Sequence, residues 1–183
     1  MIRRRPPSAL GVRAPSPLAE VRNVCSGGVS GGLHTESAPM ITGSCLCGDV
    51  AFQIDPAGIV MSNNCSCANC RKVSGAGCAT FLQVKLAALR WLTDPSNIAT
   101  YESSPGNHRA FCRRCGSRAP QRGRLPVWAV PGGSLDEDPG VRPQVSFYAG
   151  SVPAWCAVEA SDQAFDELPP REFWGPFMAK VLR

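Results

Sequence analysis

Histidine is almost absent from this chain of 183 residues, which has only His34 and His108. No apolar run approaches the ~20 residues needed to cross a bilayer, and no pattern of a secretory signal is recognisable. A continuous basic stripe with interleaved aromatic residues, the footprint of many nucleic-acid binders, is also missing. We therefore expect a cytoplasmic protein without a membrane partner, and we expect any metal site to use ligands other than histidine.

The formal charge of +5 is not a sign of nucleic-acid binding. Residues 1–40 contain five Arg and two Glu, so this segment contributes +3 and the remaining chain only +2. Binding of nucleic acid or chromatin through the Arg-rich segment is a weaker alternative, which deletion of residues 1–39 would test. Nothing in the sequence specifies an oligomeric state.

Residues 1–40 are rich in Pro, Gly, Ser and Arg and bury too little apolar surface to fold, so they are predicted to be a disordered extension. Met40 immediately precedes the sequence that is expected to fold. This favours Met40 as the true translation start, with residues 1–39 as an upstream extension from a misplaced start codon, over an organelle-targeting segment. The length favours one domain, which we place at 41–170, followed by a C-terminal tail at 171–183.

Cysteine, by contrast, is abundant, and seven of the ten cysteines fall into three tight groups. The groups are Cys45-x-Cys47, Cys65-x-Cys67-x-x-Cys70 and Cys112-x-x-Cys115. Ten cysteines could form five disulfides, but residues two or three apart seldom reach disulfide geometry without strain. Clustered thiols in a reducing cytosol are more often metal ligands. The spacing therefore predicts metal sites.

Seven ligands divide naturally into four and three. A structural zinc takes four ligands, whereas a zinc that performs chemistry usually keeps three and leaves one position open. Cys45 and Cys47, followed by Gly48, and Cys112 and Cys115, followed by Gly116, can each grip a metal from a tight turn. One structural zinc would then join the beginning of the domain to its middle. A separate metal for each pair, completed by other ligands, is the less economical alternative.

Cys65, Cys67 and Cys70 would then form a second, three-thiolate zinc site, giving two zincs per chain. His108 is more readily a surface or packing residue than a ligand. The open position would take water or a substrate atom, and a thiol suits it best because zinc holds sulfur as thiolate at neutral pH. Arg71 and Lys72 follow directly and could bind substrate carboxylates, or could be ordinary solvated charges.

Short strands and turns dominate the remaining pattern. Val50, Phe52 and Ile54 alternate with polar or small residues, as in a half-buried strand. Pro and Gly recur about every ten residues, which suits antiparallel β structure and disfavours long helices. The sequence therefore predicts an all-β fold with a few short helical turns. The predicted strands are 78–84, 99–101, 127–130 and 145–148, and the predicted turns are 69–74 and 84–89.

Three segments carry a specific family resemblance: Gly43-Ser-Cys-Leu-Cys-Gly-Asp-Val50, Cys65-Ser-Cys-Ala-Asn-Cys-Arg-Lys-Val-Ser-Gly75 and Phe111-Cys-Arg-Arg-Cys-Gly-Ser117. They resemble the glutathione-dependent formaldehyde-activating enzyme family, also called the centromere-protein-V family, and the match spans roughly 41–170. The resemblance implies a tent-like fold of antiparallel sheets held by two zincs. It places the structural zinc on Cys45, Cys47, Cys112 and Cys115, and the catalytic zinc on Cys65, Cys67 and Cys70.

Three positions depart from that family. Ser66 and Ser146 stand where His is frequent, and Cys156 stands where an aromatic residue is common. We expect Cys78 and Cys156 to be small buried residues and Cys25 to be a free thiol.

The expected function is a zinc-dependent carbon–sulfur lyase acting on an adduct of a small thiol, such as S-hydroxymethylglutathione formed from glutathione and formaldehyde. The alternative is a non-enzymatic, zinc-stabilised binding module in which a ligand such as Cys78 closes the second site.

Overall fold

The structure, a computed structural model, describes residues 39–183. The predicted N-terminal extension, with Cys25 and His34, lies outside the described residues apart from its last two positions. The described residues form two α-helices, α1 (Ala68–Ser74) and α2 (Arg171–Leu182), and several short 3-10 turns. Their strands are β1 (Ile41–Ser44), β2 (Ala51–Ile54), β3 (Ile59–Cys65), β4 (Ala79–Lys85), β5 (Leu89–Trp91), β6 (Ile98–Ser104), β7 (Asn107–Cys112), β8 (Gln121–Arg122), β9 (Val127–Pro131), β10 (Val145–Phe147) and β11 (Gln163–Phe165).

The strands form three sheets, which confirms the predicted all-β class. The largest has six strands in the order β11-β10-β3-β4-β9-β8, a second has the order β1-β2-β5, and β6 and β7 form a hairpin. The predicted helical turn at 69–74 corresponds to α1, and the turn predicted at 84–89 contains a 3-10 turn at Leu86–Ala88.

The alternation seen in the sequence at β2 buries one face of the three-stranded sheet. Val50, Phe52 and Ile54 are all at most 1% exposed. Phe52 and Ile54 pack with Leu82 and Val84 of β4, so the small sheet lies against the six-stranded one. Each such side chain contributes roughly 1.5–3 kcal/mol when it is fully removed from water.

The six-stranded sheet departs from the expected antiparallel pattern at one side. β10 pairs in parallel with both β3 and β11. A parallel pair needs a long crossover connection, and about 80 residues separate β3 from β10 along the chain. The pairing places Phe147 beside Cys65 at the end of β3.

The segment at 171–183 forms the regular helix α2 rather than an irregular tail. The sequence disfavours this, because Pro176 lies inside the helix and removes a backbone donor. Packing outweighs that cost: Phe177 is 5% exposed, and Trp174 lies between Phe177 and Phe147, with ring centroids 5.8 and 5.9 Å away. Across 39–183, no helix is both long and apolar enough to cross a membrane.

Candidate metal centres

The four cysteines predicted to share one metal meet in the structure. Cys45 and Cys47 follow β1, Cys112 ends β7, and Cys115 lies in the turn after it. Their four sulfur atoms all lie within 4.8 Å of one another. The Sγ atom of Cys47 is 3.5 Å from that of Cys45 and 3.7 Å from that of Cys112. A tetrahedral zinc with bonds of ~2.3 Å requires sulfur separations of ~3.8 Å, so this group fits a four-thiolate metal ion.

Two similar turns bring these thiols together. Gly48 and Gly116 adopt φ values of +81° and +76°, as the sequence predicts for the residue closing each turn. Their backbone N–H groups donate to the carbonyl oxygens of Cys45 and Cys112, each over 3.0 Å. The Val50 N–H also points at the Cys45 sulfur, 3.3 Å away. An N–H group directed at sulfur, like that of Val50, stabilises the ionised form, which is the form that binds metal.

Polar side chains around the four sulfur atoms also connect the two turns. Asp49 and Arg114, one from each turn, form an ion pair of 3.1 Å at the surface. The Ser117 hydroxyl accepts the Leu46 N–H and lies 3.3 Å from the Cys115 sulfur. Hydrogen bonding from that hydroxyl and from the Ser117 backbone lowers the pKa of Cys115 to about 5. Hence at least one thiol of this group is ionised at neutral pH.

The second cluster lies at the end of the central strand β3. Cys65 is the last residue of β3, Cys67 caps α1, and Cys70 lies in the first turn of α1. Their three sulfur atoms also lie within 4.8 Å of one another. Cys65 and Cys70 are buried and Cys67 is partly exposed, so the cluster could hold a metal ion that faces outward at the Cys67 side.

Ionisation in this cluster is uneven. A hydrogen bond from the Cys65 thiol, followed by one from Cys67 and by the charges of Arg109 and Arg118, lowers the pKa of Cys70 to about 6. The same hydrogen bond raises the pKa of Cys65, because Cys65 is its donor. Cys70 is therefore mostly a thiolate at neutral pH, which is a suitable starting point for metal binding.

Other residues weighed as ligands lie elsewhere. His108 is exposed on β7 and belongs to neither group of sulfur atoms. Cys78 also belongs to neither. Cys78 and Cys156 were expected to be buried, and this was wrong: both are partly exposed. Cys156 instead packs against Gly77, where an added Cβ would lie 2.1 Å from its sulfur.

The two serines that depart from the family pattern are both buried. Ser66 donates its backbone N–H to the Phe147 carbonyl oxygen over 3.0 Å. Ser146 accepts a hydrogen bond of 2.8 Å from the Ser161 hydroxyl. Both serines therefore occupy the interface between β3, β10 and the chain after it, beside the three-cysteine cluster.

The two cations predicted to bind substrate lie on α1 directly after Cys70. Arg71 and Lys72 line a cavity of about 240 Å³ together with Trp155, whose side chain is 76% exposed. Lys72 is exposed, whereas Arg71 is half-buried and its Nε is shielded from solvent without an acceptor. Both cations thus follow the cluster along α1, but the three cysteines do not line the cavity that these cations share.

Three residues near the cluster were not found from the sequence. Arg109 and Arg118 lie near enough to Cys70 to lower its pKa. Tyr148 has a left-handed backbone with φ +55°, and its pKa is raised by burial and then by the charge of Cys67. Neither arginine stands in a distinctive motif, and a strained φ at a tyrosine leaves no trace in sequence.

Among known proteins, the chain is similar to one family and to a solved structure. No curated protein matches the chain. A solved structure, the crystal structure of a Rhodobacter sphaeroides protein, is 27% identical; the match covers 56% of this chain and 91% of that one, with a TM-score of 0.44. The sequence model of the family described as glutathione-dependent formaldehyde-activating enzyme matches residues 40–151, which is more than half of the chain and contains all seven clustered cysteines. The chain therefore belongs to the glutathione-dependent formaldehyde-activating enzyme family.

Proposed function

We propose that this protein is a zinc-dependent carbon–sulfur lyase that makes or breaks the adduct of a small thiol with formaldehyde. Glutathione is the thiol that the family suggests, and S-hydroxymethylglutathione is the corresponding adduct. The observation that carries the proposal is the cluster of three cysteines, two buried and one partly exposed, with sulfur atoms within 4.8 Å of one another. Three ligands leave a fourth position for a substrate atom.

The two clusters would have different tasks. Cys45, Cys47, Cys112 and Cys115 would hold a structural zinc, and Cys65, Cys67 and Cys70 the catalytic one. When bound by three thiolates, zinc supplies a position that accepts a substrate sulfur and keeps it ionised at neutral pH.

The chain's own residues would orient the substrate. Arg71 and Lys72, which follow Cys70 on α1, would bind a carboxylate of the thiol. In the forward direction the substrate sulfur bonds to the carbonyl carbon of formaldehyde. The C=O π electrons move to the oxygen, and that oxygen takes up the proton lost by the thiol.

The test is exchange NMR with glutathione and formaldehyde in the presence of the zinc-loaded protein. We expect the exchange between free glutathione and its adduct to be accelerated, and Cys67→Ser to abolish the acceleration. Cys156→Ser is the matched control, because Cys156 is also a partly exposed thiol but lies outside both clusters. A rate equal to that in buffer would exclude this substrate.

A ligand-uptake measurement separates this function from a zinc-stabilised binding module. An open zinc takes up added thiol or cyanide, whereas a closed one does not. Cys78→Ser should leave the uptake unchanged, since Cys78 does not belong to the cluster. No uptake by the wild-type protein would favour the binding module.

A further inference from the structure

Two arginines have polar groups that are buried without a partner. Within residues 39–183, the side-chain nitrogen and oxygen atoms that are shielded from solvent and unpaired are Nε of Arg71 and Nε and Nη1 of Arg118. Buried polar groups are nearly always paired, and leaving a charged one unpaired is especially costly. Both arginines lie near the three-cysteine cluster, so the unpaired, positively charged donors of the described residues are concentrated there.

Arg118 is the more isolated of the two. Its guanidinium lies 5.1 Å from the centroid of the Phe81 ring, and its Nη2 donates to Gln121 Oε1 over 2.7 Å. Neither partner carries a charge. Phe81 belongs to the same buried cluster as Cys65 and Cys70, so the guanidinium packs on the apolar cluster that contains these two cysteines.

A second guanidinium stands nearby with the same lack of a counter-charge. Nε of Arg109 donates over 2.9 Å to the Ser103 hydroxyl, which is also neutral. Burial and then the charge of Arg109 lower the pKa of Arg118, whereas Cys70 raises it. Among the described residues the ion pairs are Arg114–Asp49 and Arg142–Glu159, so no described carboxylate lies within ion-pair distance of Arg109 or Arg118.

A three-cysteine site that held zinc and a substrate thiolate would supply the negative counter-charge that Arg109 and Arg118 lack. Three thiolates around one zinc ion carry one net negative charge, and a substrate thiolate at the fourth position adds a second. At that stage the positive charges of Arg109 and Arg118 would balance the two negative ones. We propose that Arg109 and Arg118 are positioning residues that compensate the charge of the three-thiolate site and so make it select an anionic fourth ligand, a thiolate, over a neutral one.

This inference rests on the proposed open metal site and adds a source of its specificity. A cation near a partly buried site favours each added negative charge and leaves a neutral ligand unaffected. This effect of the arginines also differs from recognition of a substrate carboxylate, because it applies equally to a thiol that has no carboxylate.

The experiment uses the full chain loaded with two cobalt ions and follows the sulfur-to-cobalt charge-transfer absorption. The probes are 2-mercaptoethanol, which binds as a thiolate without a carboxylate, and imidazole, which binds as a neutral ligand. We expect Arg118→Gln to weaken 2-mercaptoethanol binding about tenfold and to leave imidazole binding unchanged. Arg118→Lys should retain most of the thiol affinity, because it keeps the charge.

Arg122→Gln is the matched control, since Arg122 also lies over an aromatic ring, 5.9 Å from the Trp128 centroid, but is exposed. It should behave as wild type. Arg109→Gln, on β7, should repeat the Arg118→Gln pattern, and it replaces that variant if Arg118→Gln binds fewer than two cobalt ions.

Other outcomes would overturn the inference. Equal weakening of both probes would indicate a purely structural role, and no change in either would remove any role for these charges. Weakening of glutathione but not of 2-mercaptoethanol would mean that Arg118 contacts a substrate carboxylate. If the wild-type protein bound neither probe, the proposed function itself would fail and the inference with it.

Discussion

At the scale of single residues, the ionisation of the thiols sets how the two clusters respond to acid. The pKa of Cys70 is lowered to about 6 and that of Cys115 to about 5, from an ordinary value of 9.0. A pKa lowered by folding means that the thiolate stabilises the folded, metal-binding form. That stabilisation is complete above the unfolded pKa near 9 and is lost as the pH falls through the folded value.

Acid should therefore remove metal from the two clusters in sequence. As the pH falls from 8 to 4, protons should displace the ion first from the three-cysteine cluster and then from the four-cysteine cluster, because three thiolates hold an ion less tightly than four. A chromogenic chelator should record two steps of zinc release. Cys67→Ser should remove the step at higher pH; a single step in the wild-type protein would contradict this order.

The role of a residue could be predicted from the sequence only where the spacing of neighbouring residues indicates it. The seven clustered cysteines are separated by one or two residues within each group, and this local pattern identifies them before any fold is known. Arg118 has no such pattern. Its importance depends on Phe81 and Cys70, which are 37 and 48 positions away in the sequence and become its neighbours only in the folded chain.

At the scale of structural elements, the clusters differ in how much chain they join. The four-cysteine cluster connects the turn after β1 with the end of the β6–β7 hairpin, some 65 positions later. The three-cysteine cluster lies within six residues, between the end of β3 and the start of α1. Only the first closes a long segment of chain, so its loss should cost far more folding free energy.

Serine substitutions should expose this asymmetry. Cys112→Ser should destabilise the protein severely and cause aggregation, because it opens the connection between distant segments. Cys67→Ser should lose one zinc and any activity but remain folded. Zinc content and thermal unfolding of the purified variants measure both effects. If Cys67→Ser unfolded the protein as badly as Cys112→Ser, the three-cysteine site would be structural and the lyase proposal would lose its main support.

Helix α2 should contribute to stability through one aromatic anchor. Phe177 is 5% exposed and lies in the same buried cluster as Cys65 and Cys70. Phe177→Ala should reduce the free energy of unfolding by roughly 3–5 kcal/mol, as measured by denaturant unfolding of the zinc-loaded protein. Leu182→Ala, in the same helix but 80% exposed, is the control and should change it by less than about 0.5 kcal/mol. Similar effects of both would show that α2 does not pack as described.

At the scale of the whole molecule, local and long-range features of the fold differ in how far the sequence predicts them. The strand at 145–148 could be predicted because its pattern is contained in a few residues, and β10 occupies Val145–Phe147. Its parallel pairing with β3 could not be predicted, because the partner strand is about 80 residues away. Helix α2 was missed for a similar reason: packing by Phe177 offsets the local cost of Pro176.

The complete protein should contain two zinc ions per chain, one for each cluster. Removing both with a strong chelator should lower the melting temperature by far more than the ~2–4 °C that 1 kcal/mol produces at this size, because the four-cysteine cluster closes a long segment. Elemental analysis and calorimetry with and without chelator check this prediction. An unchanged melting temperature would show that the sheets hold together without metal.

The position of β3 in the middle of the six-stranded sheet has a consequence for the timescale of metal exchange. Cys65 ends a strand whose neighbours on both sides are paired, with Ala79 on β4 and Phe147 on β10. Backbone amides in such a strand exchange with deuterium only in rare, nearly global openings. An ion bound at the three-cysteine cluster would therefore exchange on a rigid support, at a rate set by the outward-facing Cys67 side. At the four-cysteine cluster, exchange of a bound ion would instead require the slower separation of the two chain segments that the cluster joins.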